Sequence, residues 1–182
     1  MKKLVHADLS QRRLSESDAA TIRRAPIVLV LQNIRSLYNV GSMFRTADAM
    51  RVERIVLTGY TPTPPNESIA KTALGADRTV PWTHVSSTVD AVKTLRDEGY
   101  HVYAVELTDT SRDVATLSAA DLPLALVLGN ELSGVSDDVL ACCDDAVEIP
   151  MYGVKHSLNV AVATGIVLYA ALHYTQANVE LP

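Results

Sequence analysis

The sequence predicts an α/β fold, a mainly parallel sheet flanked by helices, and three observations carry that prediction. Short apolar runs alternate with helix-like stretches along most of the chain. The apolar runs are continuous rather than alternating, as in "APIVLVLQ", which is the pattern of a strand covered on both faces. With 182 residues, 48% hydrophobic and 20% charged, the chain is large enough to cover both faces of one sheet.

The elements follow in order. "APIVLVLQ" is the first strand, and Asn39 is placed to cap a helix over "VGSMFRTADAM", where Val40, Met43, Phe44 and Ala47 recur at helical spacing. "ERIVLTG" is the second strand, and "YTPTPPNES" reads as a Pro-rich surface loop. "TVPWTHV" is a weaker strand, followed by the helix "STVDAVKTLRDEG", which ends at Gly99. "YHVYAVEL", "LALVLG" and "AVEIP" are three further strands, with "SDDVLACC" a short helix between the last two. The final helix starts near Ser157, whose hydroxyl suits an N-cap, with Asn159 one step inside. Its run to Leu172 has no solvent-facing side, so it must be buried all round.

Charge divides the chain into a basic N-terminal segment, residues 1–25, and one domain, residues 26–182. The net charge of -5 argues against a nucleic-acid partner. The segment before Pro26 nevertheless holds six of the 16 Lys and Arg (Lys2, Lys3, Arg12, Arg13, Arg23, Arg24) against three acids, leaving ten against eighteen beyond it. Such paired basic residues suit a phosphate backbone, and equally a solvated helix face. Cys142 and Cys143 are adjacent, so neither a disulfide framework nor metal-ligand spacing exists, and no metal is expected. No secretory signal opens the chain, and the last apolar run falls short of a bilayer span. The expected setting is the cytoplasm, with no membrane partner.

In an open parallel sheet, ligands bind beyond the carboxyl ends of the strands. Three polar stretches stand there: "QNIRSLYNVGSMFRTAD", "VLGNELSGVSDD" and "IPMYGVKHSLN". None is a common nucleotide loop, because GxGxxG is missing after the first strand and the Gly129–Gly134 turn lacks the Lys-Ser/Thr of a phosphate loop.

Together, "NVGSMFRTADA", "LVLGNELSGVSDDVL" and "IPMYGVKHSLNVAVATGIVLYA" resemble the three signature motifs of the SpoU, or TrmH-like, RNA ribose 2'-O-methyltransferases of the SPOUT superfamily. The resemblance runs from about Ile27 to Leu172, with the motifs in family order. It implies a C-terminal trefoil knot, S-adenosylmethionine bound against the knotted loops, and a homodimer whose active sites draw on both chains, with one side of the last helix on the sheet and the other on the partner subunit. One departure is Leu132, where many relatives carry a small residue.

The resemblance assigns catalytic parts to Arg45, Asn39, Glu131, Ser157 and Asn159. Arg45 would relieve the ribose hydroxyl of its proton or grip the adjacent phosphate. A guanidinium almost never deprotonates, which favours the phosphate role. Read without the motif, Arg45 is a surface residue paired with Asp48. Glu131 would accept hydrogen bonds from loop amides or orient Arg45 of a partner chain, while Gly129 and Gly134 let backbone approach a ligand. Cofactor contacts are expected from Val105, Glu106, Leu128, Gly129, Ile149, Met151 and Leu158, chiefly through their main chains. Lys155 and His156 fit either RNA contacts or a solvated loop, and Trp82 and His84 carry no assignment. The implied function is methylation of a ribose 2'-hydroxyl in RNA. Transfer RNA is favoured over ribosomal RNA because a minimal domain suits a compact stem-loop. The alternatives are base methylation within the superfamily or a non-catalytic RNA-binding paralogue.

Overall fold

The computed structural model describes residues 16–175, together with Met1, Lys3 and Leu14. Lys2, Arg12 and Arg13 of the basic segment lie outside the described residues. A short helix α1 (Glu16–Thr21) leads into β1 (Ala25–Gln32), α2 (Leu37–Ala49) and β2 (Val52–Thr58). Helices α3 (Glu67–Ala73) and α4 (Ala76–Thr79) precede β3 (Trp82–Val85), α5 (Thr88–Asp97) and β4 (His101–Val105). A two-residue β5 (Arg112–Asp113) and two single-turn 3-10 helices, Val114–Thr116 and Ala119–Asp121, lead to β6 (Leu124–Leu128). Then come α6 (Asp137–Leu140), β7 (Asp145–Glu148) and α7 (Val160–Tyr174).

Among the described residues the strands form one seven-stranded sheet in the order β3-β2-β1-β6-β4-β7-β5, and every ladder in it is parallel. The chain runs outward from β1 to β3 and then crosses to the far side of β1. This places a topological switch beside β1, where the carboxyl ends of β1, β6, β4 and β7 open. The period of two along β1 sorts its apolar run between two cores. Ile27, Leu29 and Leu31 join Met43 and Phe44 of α2 and Val167 and Leu168 of α7, while Val28 and Val30 join Ala91, Val92 and Leu95 of α5. Both faces are therefore covered, as the continuous apolar runs predict.

Three details differ from the sequence prediction. Helix α2 begins at Leu37, and its N-cap is Ser36, whose side chain accepts from the Asn39 backbone N–H, so Asn39 lies within the first turn. The last helix begins at Val160, not near Ser157. Its N-cap is Asn159, whose amide oxygen accepts from the N–H groups of Ala161 and Val162 at 2.9 and 3.4 Å, while Ser157 lies in the preceding exposed loop. Within one chain that helix buries a single side, the other being the side that the resemblance gives to a partner subunit. Val160, Thr164, Val167, Leu168 and Ala171 are buried, but Val162, Ile166 and Tyr169 are 52%, 39% and 62% exposed. The stretch after the Pro-rich loop carries α3, capped by the Asn66 side chain at the Ser68 N–H.

Arg24 is a structural tie. Its guanidinium donates to the backbone carbonyls of Ala19, Val52 and Thr79 at 3.0, 3.2 and 2.7 Å, joining α1 to the start of β2 and the end of α4. A guanidinium spent on three carbonyls is poorly placed to meet phosphate. No helix among the described residues is long and apolar enough to cross a membrane.

Candidate active site

The strand ends enclose a cleft of about 500 Å³, within the range of small-molecule sites. Val105 and Glu106 enter from β4, Leu128 to Val135 from the turn after β6, Ile149 and Met151 from beyond β7, and Ser157 and Leu158 from the approach to α7. All seven residues expected to contact cofactor line this one cleft.

The turn after β6 has its shape for reasons visible residue by residue. Asn130 and Gly134 exchange backbone hydrogen bonds of 3.0 and 2.9 Å, and the Asn130 side-chain oxygen accepts from the N–H groups of Leu132 and Ser133. Gly134 sits at a φ of 67°, a left-handed conformation that suits glycine. A Cβ there would lie 2.1 Å from Glu106 Oε2, and one at Gly129 would lie 2.1 Å from the Gly134 carbonyl carbon. Glu106 Oε2 accepts from the Val135 N–H at 2.9 Å and Oε1 from the Leu107 N–H at 3.0 Å, which fixes the carboxylate on the cleft wall. The result is a backbone cradle beside the apolar side chains of Leu128, Ile149 and Leu158.

Beside the cleft, one network joins the three polar stretches. Glu131 accepts from the backbone N–H groups of Arg35 and Ser36 and from Asn39 Nδ2, each at 3.0 Å. The Asn39 side-chain oxygen in turn accepts from Asn159 Nδ2 at 3.2 Å. Each asparagine amide thus has an orientation set by its partners. Burial by itself raises the Glu131 pKa, but the hydrogen bonds from Arg35, Ser36 and Asn39 outweigh it and hold the carboxyl below its ordinary value. A fixed carboxylate just ahead of α2 also complements the positive end of that helix.

Arg45 lies outside this network. Six residues beyond Asn39 on α2, it stands about 9 Å further along the axis and about 120° around it, and it is exposed. Among the described residues it forms no ion pair, so the pairing with Asp48 that a reading without the motif gives does not occur; Asp48 Oδ1 accepts from Thr79 Oγ1 at 2.7 Å. Ser157 and His156 line the cleft from an exposed loop, and Leu132 is 81% exposed at its mouth. No group of three or more His, Cys, Asp or Glu suited to a metal ion occurs among the described residues.

Sequence reasoning missed three residues that build the site's frame. Gln32, 4% exposed at the end of β1, accepts from the Ser136 N–H at 3.1 Å and donates to its hydroxyl at 2.5 Å. Asn33 has a φ of 53°, and the Asn130 side chain, 8% exposed, donates to the Asn33 carbonyl at 2.8 Å and to the Tyr60 hydroxyl at 2.9 Å. The adjoining polar pairs Gln32-Asn33 and Asn130-Glu131, each at the end of a buried strand, were the available signal.

With this geometry in place, the comparisons with known proteins agree. A family model described as the SpoU rRNA Methylase family matches residues 26–169. A putative TrmH family tRNA/rRNA methyltransferase of Staphylococcus haemolyticus is 33% identical over 90% of this chain and 64% of its own length. A 23S rRNA (guanosine-2'-O-)-methyltransferase RlmB of Vibrio parahaemolyticus is 32% identical over 88% of this chain and 66% of its own. The chain therefore spans roughly three-fifths of the length of these relatives. Among solved structures, the A. aeolicus TrmH/SpoU tRNA modifying enzyme aligns with a TM-score of 0.73 and 30% identity, over 82% of this chain and 75% of that one. An AdoMet-bound rRNA methyltransferase from Sinorhizobium meliloti aligns with a TM-score of 0.76 and 29% identity, over 82% of this chain and 57% of that one. On its three motifs, its parallel sheet and the match over residues 26–169, this chain belongs to the SpoU methylase family.

Proposed function

We propose that this chain is an S-adenosylmethionine-dependent RNA methyltransferase acting on a ribose 2'-hydroxyl. The observation that carries the reading is the glycine cradle at Gly129 and Gly134 opening beside the Glu131–Asn39–Asn159 network. The residues present fit the cofactor: a cleft of about 500 Å³ with apolar side chains on its walls, lined along one side by a turn that closes tightly on itself because Gly129 and Gly134 carry no side chain. Val105, Glu106, Leu128, Gly129, Ile149, Met151 and Leu158 would hold it, and its sulfonium supplies an electrophilic methyl group. RlmB relatives named for guanosine-2'-O methylation of 23S rRNA make a ribosomal guanosine the first substrate to test. A solved neighbour named as a tRNA modifying enzyme makes transfer RNA the second substrate to test. An RNA substrate goes with a cytoplasmic setting.

In this reading the chain's own residues supply position rather than covalent chemistry. Asn39 and Asn159, oriented by each other and by Glu131, present fixed amides to the ribose. Ser157 offers a hydroxyl at the cleft rim. Arg45 holds the phosphate next to the reacting hydroxyl and stabilises the oxygen as its proton passes to water. Its distance along α2 from Asn39 supports a site completed by a second copy of the chain. The exposed face of α7, with Val162, Ile166 and Tyr169 in line, is the surface we assign to that homodimer. The trefoil knot implied by the motifs belongs to the same proposal, as does the division into a basic segment of residues 1–25 and one domain of residues 26–182.

The test is to incubate the protein with isotopically labelled S-adenosylmethionine and RNA from cells lacking the gene, then digest the RNA and identify the labelled nucleoside by mass spectrometry. A methyl group on ribose is the expected result, and one on a base overturns the assignment. Calorimetry should detect binding of S-adenosylmethionine and of its demethylated product without added metal.

A further inference from the structure

The ring of Tyr60 is exposed in a way that conflicts with its anchoring. Its side chain is 62% open to solvent, yet the residue is held at both ends. Its backbone N–H donates to Asn33 Oδ1 at 3.1 Å, and its hydroxyl accepts from Nδ2 of the buried Asn130 at 2.9 Å. The flanking residues are fixed as well. Thr61, 2% exposed, donates to the Leu31 carbonyl at 2.9 Å and accepts from the Ile34 N–H at 3.0 Å, while a His84 ring nitrogen lies 2.9 Å from the Gly59 carbonyl oxygen. A surface tyrosine ordinarily retains its rotamer freedom. This one is tied through its hydroxyl while most of the residue stays in water.

Position supplies the reason. Asn33 stands two residues before Arg35, whose N–H Glu131 binds, and Asn130 both precedes Glu131 and lines the cleft. The ring is thus fastened to the same two loops that hold the candidate catalytic network. An aromatic face presented rigidly beside a nucleic-acid site stacks on an unpaired base, and a ring immobilised beforehand loses little entropy in doing so.

We propose that Tyr60 is a stacking platform for a nucleobase of the RNA, at or next to the nucleotide whose ribose is methylated. The inference rests on the RNA methyltransferase reading above and adds to it a residue that selects single-stranded over paired RNA. Tyr60 acts on binding, not on the transfer step.

Methyl transfer to RNA from cells lacking the gene should show Tyr60→Ala raising KM for RNA about 10-fold or more, the scale of one lost stacking contact. Its kcat, affinity for S-adenosylmethionine and Tm should stay near those of the unaltered protein. Tyr60→Phe keeps the ring and loses only the hydroxyl anchor, so its KM should rise by no more than about 3-fold, one modest hydrogen bond. If Tyr60→Phe is as impaired as Tyr60→Ala, or if Tyr60→Ala leaves KM unchanged, the platform is overturned. A second arm needs no turnover. In a Trp82→Phe background, the fluorescence of Tyr60→Trp should be quenched by a single-stranded 12-nucleotide RNA and not by the same backbone carrying abasic sites. Equal quenching by both, or by neither, overturns the stacking role. Quenching specific to the base-bearing strand, in a protein that methylates no RNA, would retain the platform and defeat the proposed activity.

Discussion

Glu131 is the joint on which the site's order depends, and its replacement gives a sharp test. Its carboxylate accepts three hydrogen bonds, two from backbone N–H groups at the entry to α2 and one from Asn39 Nδ2. The group is half-buried, so water competes, and each charge-assisted bond contributes about 0.5–1 kcal/mol. Glu131→Ala should then cost about 2 kcal/mol, which for a chain of this length lowers Tm by about 4–8 °C. Glu131→Gln keeps one acceptor for Ser36 and Asn39 but turns an amide toward the Arg35 N–H, and should cost about half as much. The pH dependence separates this account from a packing effect. The carboxyl is held below its ordinary value, so its contribution is fully present above the unfolded pKa of about 4.3 and is lost as pH falls through the lower folded value. Scanning calorimetry should show the gap between the unaltered protein and Glu131→Gln constant near neutrality and closing below about pH 4. A gap of the same size in acid, or no destabilisation at pH 7, would refute the reasoning.

Arg45→Ala should leave cofactor affinity intact and reduce methyl transfer by about 100-fold or more, with Arg45→Lys rescuing little because a point charge lacks the planar fork. Full turnover with a lowered Tm would instead make Arg45 a structural residue. Gly129→Ala forces a Cβ to within 2.1 Å of the Gly134 backbone, so S-adenosylmethionine affinity measured by calorimetry should fall at least about 10-fold; unchanged affinity would remove the cradle from the site. Light scattering should find a dimer at micromolar concentration and a monomer for Ile166→Glu, which sets a charge in the exposed apolar face of α7. A monomeric unaltered protein would dispose of the composite site.

What sequence reasoning reached and missed separates along one line. The strands of the sheet were legible except β5, whose two residues, Arg112 and Asp113, carry no apolar run and pair only with β7. Helices α3 and α4 were passed over because the polar stretch after Pro65 has too few apolar positions to show a period. Both N-caps were misplaced by a few residues, since Ser36, Asn39, Ser157 and Asn159 are all competent cap residues. The choice among them depends on where the helix axis meets the sheet.

The sequence by itself determined the parallel sheet with two covered faces, because hydrophobic periodicity is local, and it determined the family, because three motifs stand in order along one chain. Only the tertiary structure decided which polar residues meet. Asn39, Glu131 and Asn159 are 92 and 28 positions apart along the chain, and they come within hydrogen-bonding distance only because β1 and β6 are neighbours and α7 packs against α2. The tertiary structure likewise separated Arg45 from that group, left one face of α7 exposed, and fixed Tyr60 between Asn33 and Asn130. These are long-range pairings, set by which strand lies beside which, and spacing along the sequence carries no record of them.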